Sequence, residues 1–189
     1  HMNEFIPKIG KYLKSRNIDF QIYIVHQVDD KLFNRGATKN IGAKHAFDEG
    51  CDYIVWHDID MIPEEDGGAD YSYPEGAPRH IATKIQQMDY KLKYHEYFGG
   101  AVLFTKEHVE ATNGYSNDYW DWGMEDDDLF WRCHKEGLTN DSYLDIDLKD
   151  KKYISDPSGR KQGAYAAGTV KVMEISEIIE AFPDLTKDE

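Results

Sequence analysis

An apolar run from Asp52 to His57 sets the framework of this fold. It has the length of a buried strand, and it follows a helical stretch, Asn34 to Glu49, that Gly50 closes. Asp58 and Asp60 come directly after the run and project the same way, because they are two residues apart on an extended backbone. Open α/β sheets place their ligands at this end of a strand, so the sequence predicts a binding site here.

The rest of the chain alternates between helical and extended patterns and contains no internal repeat. The further predicted elements are strands at 20–26 and 99–105 and helices at 3–15 (with Phe5, Ile6, Ile9 and Leu13 on one side), 106–112, 125–137 and 173–182. Breaker residues make 63–78 a predicted loop and 139–168 mostly irregular. Alternating strands and helices indicate an α/β sandwich, and 189 residues make one domain of ordinary size.

Residues 119 to 128 read Tyr-Trp-Asp-Trp-Gly-Met-Glu-Asp-Asp-Asp and combine two tryptophans with four consecutive carboxylates. Gathered carboxylates repel one another, so a fold that keeps them together usually gives them a task. The run is also what the first turn of a helix prefers, and both interpretations can hold together. We expect Trp120 in the core, Trp122 as a stacking surface for sugar rings, and Asp128 as an exposed helix-start residue.

Asp58 and Asp60 offer two hard oxygen donors, which suit Mg²⁺ or Mn²⁺ and can grip a diphosphate through the metal. Taken alone, such a pair is a weak signal and more often belongs to a solvated loop. Together with the aromatic, acidic segment 119–128, it suggests transfer of a sugar from a nucleotide.

Composition excludes several classes of function. A net charge of −14 argues against nucleic acid or an anionic membrane surface as the main partner. Two cysteines, Cys51 and Cys133, are too few for a disulfide framework and lack metal-ligand spacing. No apolar stretch approaches about 20 residues and no signal peptide is visible, so we expect no membrane segment in this chain.

Several short blocks occur in a fixed order. They are Phe33-Asn34-Arg35, Asp58-Ile59-Asp60 with Ile62-Pro63, Pro78-Arg79-His80, Tyr97-Phe98-Gly99-Gly100, Asn113-Gly114 and Trp120 to Asp128. Their order and spacing resemble the β-1,4-galactosyltransferase family (glycosyltransferase family 7) over residues 20 to 138. Within that family the chain looks closest to the xylosylprotein β-1,4-galactosyltransferase branch, and residues 139–189 diverge.

The resemblance implies one catalytic domain, 1–189, of the type A glycosyltransferase fold: a Rossmann-like mixed sheet flanked by helices. The family's first strand, which ends in a Pro-Phe-Arg-like block, is not found before Asn3. The family completes its metal site with a Met and a His beyond the acidic block, and no His follows His134 here. Asp145, Asp147 or solvent could take that place.

The resemblance also implies an inverting transfer of galactose from UDP-galactose to a saccharide hydroxyl, with Mn²⁺ or Mg²⁺ as cofactor. Asp126 is the expected base, and Asp60 the expected metal ligand, with Asp58 beside it. The other implied donor-site residues are Phe33, Arg35, Asp58, Tyr97, Gly100, Trp122 and Glu125, and the implied acceptor-site residues are Tyr94, Trp122 and Asp127. His57 and His80 are expected to make structural hydrogen bonds.

Two other functions stay open from the residues alone. The chain could be a sugar- or nucleotide-binding domain without turnover, or a metal-dependent hydrolase in which the acidic cluster activates water. The expected location is the cytoplasm for a bacterial-type enzyme and the Golgi lumen for an excised animal-type catalytic domain.

Overall fold

The computed structural model of the chain describes residues 1–65, 68–92, 94–139 and 170–173. Helices and strands alternate through these ranges. In chain order the elements are α1 (Met2–Ser15), β1 (Ile24–Gln27), α2 (Arg35–Asp48), β2 (Tyr53–His57), β3 (Arg79–His80), a 3₁₀ turn (Gln86–Met88), β4 (Ala101–Thr105), α3 (Lys106–Thr112), α4 (Glu125–Lys135) and β5 (Val170–Met173).

Strand β4 is buried along its whole length and lies between β2 and β3. It runs antiparallel to both, with His57 of β2 opposite Ala101 and His80 of β3 opposite Val102. Strands β1 and β5 form a separate antiparallel pair. All strand pairs within the described ranges are therefore antiparallel, and the parallel pairs that a mixed sheet also needs do not occur among them.

The main core fills the space between this sheet and helices α2 and α4. Alternate residues of β2, Ile54 and Trp56, point into it. The Trp56 ring packs against Phe104 and Tyr115, each with its centroid 4.8 Å away. These contacts fix the end of β2, where the two predicted carboxylates follow.

Helix α1 covers the other face of β2 and confirms the predicted amphipathic helix. Phe5, Ile9 and Leu13 recur at helical spacing and are buried in a second cluster with Tyr71. The Phe5 ring meets the His57 ring edge-on at 4.9 Å. Strand β2 is thus packed on both faces, as its apolar sequence requires.

Helix α2 is joined to the segment that precedes α4. Its N-cap, Asn34, accepts a hydrogen bond from the Ala37 amide at 2.8 Å and donates to the Asn117 carbonyl at 2.7 Å. A β-carbon on Gly36 would lie 2.4 Å from the Ser116 carbonyl oxygen, so only glycine allows this approach. The first turn of α2 is therefore held close to the start of α4.

Apart from the helix predicted from residue 173, the predicted elements agree with the structure in type and differ at their ends by up to four residues. Helix 106–112 is confirmed in full, whereas the strands predicted from 20 and 99 begin at Ile24 and Ala101. Strand β3 and the 3₁₀ turn were not predicted. Met173 ends β5, so a helix starting there is wrong; residues 174–182 and nearly all of 139–168 lie outside the described ranges.

Candidate active site

Arg35, the first residue of α2, is the centre of a largely buried cluster of ion pairs. Its Nη2 donates to both carboxylate oxygens of Asp58, at 2.8 and 2.7 Å. Its Nη1 donates to Oε1 of Glu125 at 2.7 Å and to Oδ1 of Asp126. One guanidinium thus brings together a carboxylate after β2 and two carboxylates of α4, all of them sequence-predicted site residues.

Local backbone geometry positions these carboxylates. The Asp58 amide donates to the Gly100 carbonyl at 2.7 Å, which extends the β2–β4 pairing by one step. Gly100 has φ +81°, and a β-carbon there would lie 2.6 Å from Cβ of Ala82. This predicted site residue therefore has to be glycine, because only glycine adopts that backbone conformation without a clash. Glu125 and Asp126 lie in the first turn of α4, where the helix dipole favours negative charge.

Lys39 is a second cation in the cluster, and the sequence analysis missed it. It lies one turn after Arg35 on α2, and its Nζ is 3.0 Å from Oδ1 of Asp58. Burial raises the pKa of Asp58, but the charges and hydrogen bonds of Lys39 and Arg35 outweigh it and hold that pKa below its usual value. Burial and the charge of Arg35 lower the pKa of Lys39, against the pull of Asp58 and Asp126.

Tyr115 is the second residue that the sequence analysis missed. Its hydroxyl donates to Oδ1 of Asp126 at 3.1 Å, from a side chain that is 1% exposed. The Arg35 and Lys39 cations lie 5.9 and 5.3 Å from the centre of its ring. Burial, followed by the charge of Asp126, raises the pKa of Tyr115 well above its ordinary value, so the hydroxyl keeps its proton.

The Gly99 backbone separates the other Asp126 oxygen from Tyr97. A β-carbon on Gly99 would lie 2.6 Å from Oδ2 of Asp126 and 2.9 Å from two atoms of the Tyr97 ring and hydroxyl. Burial, then the charges of Asp126 and Asp58, raise the pKa of Tyr97 to about 12. The absent side chain of Gly99 is therefore what allows Tyr97 and Asp126 to line the same space.

The predicted acceptor residues Tyr94 and Asp127 form a second contact beside this cluster. The Tyr94 hydroxyl donates to Oδ1 of Asp127 at 2.8 Å, and the Tyr94 and Tyr97 rings meet edge-on at 5.6 Å. Burial, then the hydrogen bond to Asp127, raises the pKa of Tyr94. The two tyrosines and the α4 carboxylates therefore form one continuous wall.

The loop before α4 carries the exposed aromatic side chains. Trp122 is 92% exposed, and Phe33 is 52% exposed. The Asp121 amide donates to the Phe33 carbonyl at 2.8 Å, which ties the loop to the residues before α2. Trp120 is 41% exposed and lies over the Lys31 amine, so its assignment to the core is wrong.

Asp128 differs from its predicted role as an exposed helix-start residue. It is fully buried, and its Oδ2 accepts from Nε of Arg132, one turn later, at 3.0 Å and lies 2.8 Å from Nη2 of the same guanidinium. Arg132 also donates to the backbone carbonyls of Thr112, at 2.6 Å, and Gly114. The last carboxylate of the run therefore ties α4, through Arg132, to the end of α3.

The two predicted structural histidines make the expected kind of contact. His57 bonds the Asp58 carbonyl through Nδ1 and the Tyr71 hydroxyl through Nε2, both at 2.8 Å. His80 donates from Nε2 to the Gly99 carbonyl at 2.7 Å. Burial lowers the pKa of each.

Asp60 lies beyond β2 as an exposed carboxylate. The described part of the chain contains no group of three or more His, Cys, Asp or Glu side chains arranged to hold a metal, and Asp145 and Asp147 lie outside it. A Mg²⁺ or Mn²⁺ ion that binds with a diphosphate needs only one or two protein carboxylates, because phosphate oxygens and water supply the rest. Asp60 fits such an ion, whereas Asp58 is engaged by two cations.

Comparison with known proteins agrees with this arrangement. Residues 1–72 match the family model described as the N-terminal region of glycosyl transferase group 7, and residues 79–155 match that described as the N-terminal domain of galactosyltransferase. Both halves of the site thus fall within glycosyltransferase sequence patterns, and the match extends beyond residues 20–138 at both ends. The chain belongs to the β-1,4-galactosyltransferase family.

Several animal relatives are similar to the chain at the level of sequence. Beta-1,4-galactosyltransferase 7 of Homo sapiens is 35% identical over 160 residues, which cover 84% of this chain and 48% of the relative. Beta-1,4-galactosyltransferase 3 of Homo sapiens is 34% identical over 139 residues, covering 73% of this chain and 35% of the relative. The chain therefore spans about half or less of these relatives' lengths.

A solved structure supports the fold. The catalytic domain of Drosophila beta1,4-galactosyltransferase 7, solved with xylobiose, superimposes with a TM-score of 0.66 at 35% identity and covers 73% of this chain and 57% of its own. A mutant of that enzyme, solved with manganese, UDP-Gal and xylobiose, gives the same score at 36% identity. The predicted type A α/β fold is confirmed. Among the residues described, no helix is both long and apolar enough to cross a bilayer.

Proposed function

We propose that this chain is an inverting galactosyltransferase that moves galactose from UDP-galactose to a hydroxyl of a saccharide acceptor, forming a β-linkage. The observation that carries the proposal is the pair of restraints on Asp126. Arg35 and the Tyr115 hydroxyl both hold its Oδ1, while Oδ2 lies against Gly99 beside Tyr97. A carboxylate fixed in this way can serve as a general base at a defined point.

Asp126 would take the proton of the acceptor hydroxyl as that oxygen attacks the anomeric carbon from the face opposite UDP. The bond from carbon to the diphosphate oxygen breaks in the same step, so an α-linked donor gives a β-linked product. Arg35 neutralises Asp126 in the described arrangement. A donor phosphate that draws the guanidinium away would leave Asp126 still held by the Tyr115 hydroxyl and able to accept the proton.

The neighbouring residues supply the donor and acceptor contacts. Glu125 would hydrogen-bond the galactose, and Tyr94 with Asp127 would hold the acceptor sugar. Further proposed donor contacts come from Phe33 at the uracil, Arg35 at the phosphates, Asp58 at the ribose or at water, and Tyr97, Gly100 and Trp122 around the sugar. Trp122, exposed on its loop, offers a flat apolar face that can stack on a sugar ring.

Asp60 is the proposed ligand of Mn²⁺ or Mg²⁺. Bound there, the ion would neutralise the charge that develops on the departing diphosphate. Asp60→Asn should weaken Mn²⁺-dependent UDP binding at least about tenfold, or ~1.4 kcal/mol. Calorimetry with UDP, in Mn²⁺ and in chelator, measures this; equal UDP affinity in both buffers would remove the metal from the proposal.

A transfer assay tests the proposed activity directly. The parent protein is incubated with UDP-galactose and Mn²⁺, and with xylosides, glucosides or N-acetylglucosaminides as acceptors. Xylosides come first, because the Drosophila relative was solved with xylobiose. We expect a β-galactosylated product, identified by the anomeric coupling in its proton NMR spectrum.

The other two functions give different results in the same assay. Release of free galactose at an acceptor-independent rate would indicate a hydrolase. UDP binding without transfer to any acceptor would indicate a binding domain. Asp126→Asn serves as the matched negative control, because it keeps the side-chain shape and removes the basic oxygen while leaving UDP binding in place.

A further inference from the structure

Lys39 is a buried cation for which the proposed reaction has no direct use. Its side chain is 10% exposed, and its ion pair with Asp58, together with the charge of Asp126, offsets its own charge. A buried amine without a partner is costly, so the pair has to form as the chain folds. Asp58 is therefore in contact with two cations: Lys39 lies against its Oδ1, and Arg35 donates to both of its oxygens.

The two cations that contact Asp58 belong to the same helix. Arg35 and Lys39 are four residues apart on α2, so they lie on one face of the helix. Trp56 donates to the Lys39 carbonyl at 2.8 Å and thereby anchors this turn of α2 to β2. Asp58 is therefore drawn toward α2, whereas Asp60, two residues further on, is exposed.

We infer that Lys39 is a positioning residue that, together with Arg35, withholds Asp58 from divalent cations and leaves Asp60 as the carboxylate that binds them. The Lys39 cation opposes a metal cation at Asp58 through its field, and the Asp58 oxygens that accept from Arg35 have fewer lone pairs left for a metal. This inference rests on the proposed function in one respect, namely that the diphosphate of the donor supplies the other ligands of the metal ion bound at Asp60.

The test is a titration of the protein with Mn²⁺ alone, read by the electron paramagnetic resonance signal of the free ion. The parent chain should bind Mn²⁺ weakly. Lys39→Met keeps an unbranched apolar chain, removes the charge and should tighten Mn²⁺ binding by about fivefold or more. Damage to the fold is expected to weaken a site built from residues of separate segments, so a gain of affinity points to positioning and not to a merely structural role.

Two further variants complete the experiment. Lys44→Met removes an exposed lysine of the same helix, which pairs with Asp48, and should leave Mn²⁺ affinity within about twofold of the parent. The double variant Lys39→Met with Asp58→Asn removes one charge of each sign, so the local net charge is that of the parent. If Asp58 is not a ligand, this double variant binds Mn²⁺ within about twofold of the parent.

Two outcomes would overturn the inference. Unchanged Mn²⁺ affinity in Lys39→Met would show that the amine does not control the site. A tenfold or greater loss in the double variant would show that Asp58 binds the metal despite its two cations. Failure of the proposed function is seen separately, as absence of UDP binding or of transfer, because these titrations contain neither UDP nor acceptor.

Discussion

Tyr115 donates a hydrogen bond from a fully buried hydroxyl to Oδ1 of Asp126, the candidate base, at 3.1 Å. The tyrosine is itself fixed, because its amide and carbonyl bond the side chain of Asn40 at 2.9 and 2.7 Å. Asn40 belongs to α2, which also carries Arg35. The two groups that hold Asp126 are thus set by a single helix, and the orientation of the base depends on the packing of α2.

Tyr115→Phe should therefore slow the proposed transfer without preventing donor binding. A hydrogen bond to a charged group contributes about 1.5–3 kcal/mol, and only part of it bears on the orientation of Asp126. We expect kcat to fall about 3- to 30-fold, with KM for UDP-galactose within about twofold of the parent. Tyr23→Phe, which removes a hydroxyl that bonds Glu49 away from the site, is the matched control. A rise in KM with unchanged kcat would contradict the assignment.

Gly99→Ala should disrupt the same carboxylate from its other side. The new methyl would lie 2.6 Å from Oδ2 of Asp126, a distance that forces the carboxylate or the Tyr97 ring to move. Displacement of a reacting group by about 1 Å can cost on the order of 100-fold in rate, so we expect at least a tenfold loss of transfer at saturating donor. Gly68→Ala, where a methyl meets open space, should retain the parent rate. Parent-like turnover in Gly99→Ala would show that this contact does not matter.

Much of the site was predictable because its residues are consecutive or lie at strand and helix ends. Asp58 follows an apolar strand, and Glu125 and Asp126 begin a helix, so their positions follow from the sequence pattern. Lys39 and Tyr115 were not found, since their importance comes from contacts between segments distant in the sequence. One local signal existed for Lys39, because it lies four residues after Arg35 and shares its helix face.

The error at Asp128 has a different physical origin. Asp128 is assigned from the sequence to an exposed helix start because acidic residues are favoured there, but four consecutive helical residues point in different directions around the axis. Asp128 is on the inner side of α4, where Arg132 at the i+4 position meets it. The spacing of Asp128 and Arg132 was visible in the sequence, while the burial that makes the pair matter was not.

The stability of the fold should fall as the pH drops below about 6.5. Burial lowers the pKa of His80 and of His108, so the folded protein takes up these protons at a lower pH than the unfolded chain, whose ordinary His pKa is about 6.5. The unfolded state then binds more protons, and each such histidine can contribute a slope of up to about 1.4 kcal/mol per pH unit below that point. Urea unfolding at pH 7.5, 6.5 and 5.5 measures the effect.

Replacing the two histidines tests that explanation. His80→Gln keeps a side-chain donor that can reach toward the Gly99 carbonyl, and His108→Gln keeps a side chain that can complete the capping box with Thr105. The double variant should lose less stability between pH 7.5 and 5.5 than the parent. An identical loss in both proteins would assign the pH dependence to other groups.

Asp126→Asn and Asp128→Asn should separate catalysis from stability within one acidic run. Asp128→Asn leaves the buried Arg132 guanidinium without its counter-charge, and breaking a buried ion pair from one side costs about 3–5 kcal/mol. Because asparagine retains an acceptor oxygen, we expect the free energy of unfolding to fall by about 2–4 kcal/mol. Asp126→Asn should instead lower transfer by about 10²–10⁴-fold and leave that free energy within about 1 kcal/mol of the parent.

Urea unfolding and initial transfer rates, measured below the unfolding transition of both variants, give the two quantities. If Asp128→Asn proved stable but inactive, with Asp126→Asn still active, the base would have to be Asp128 and α4 would have to present its other face to the site.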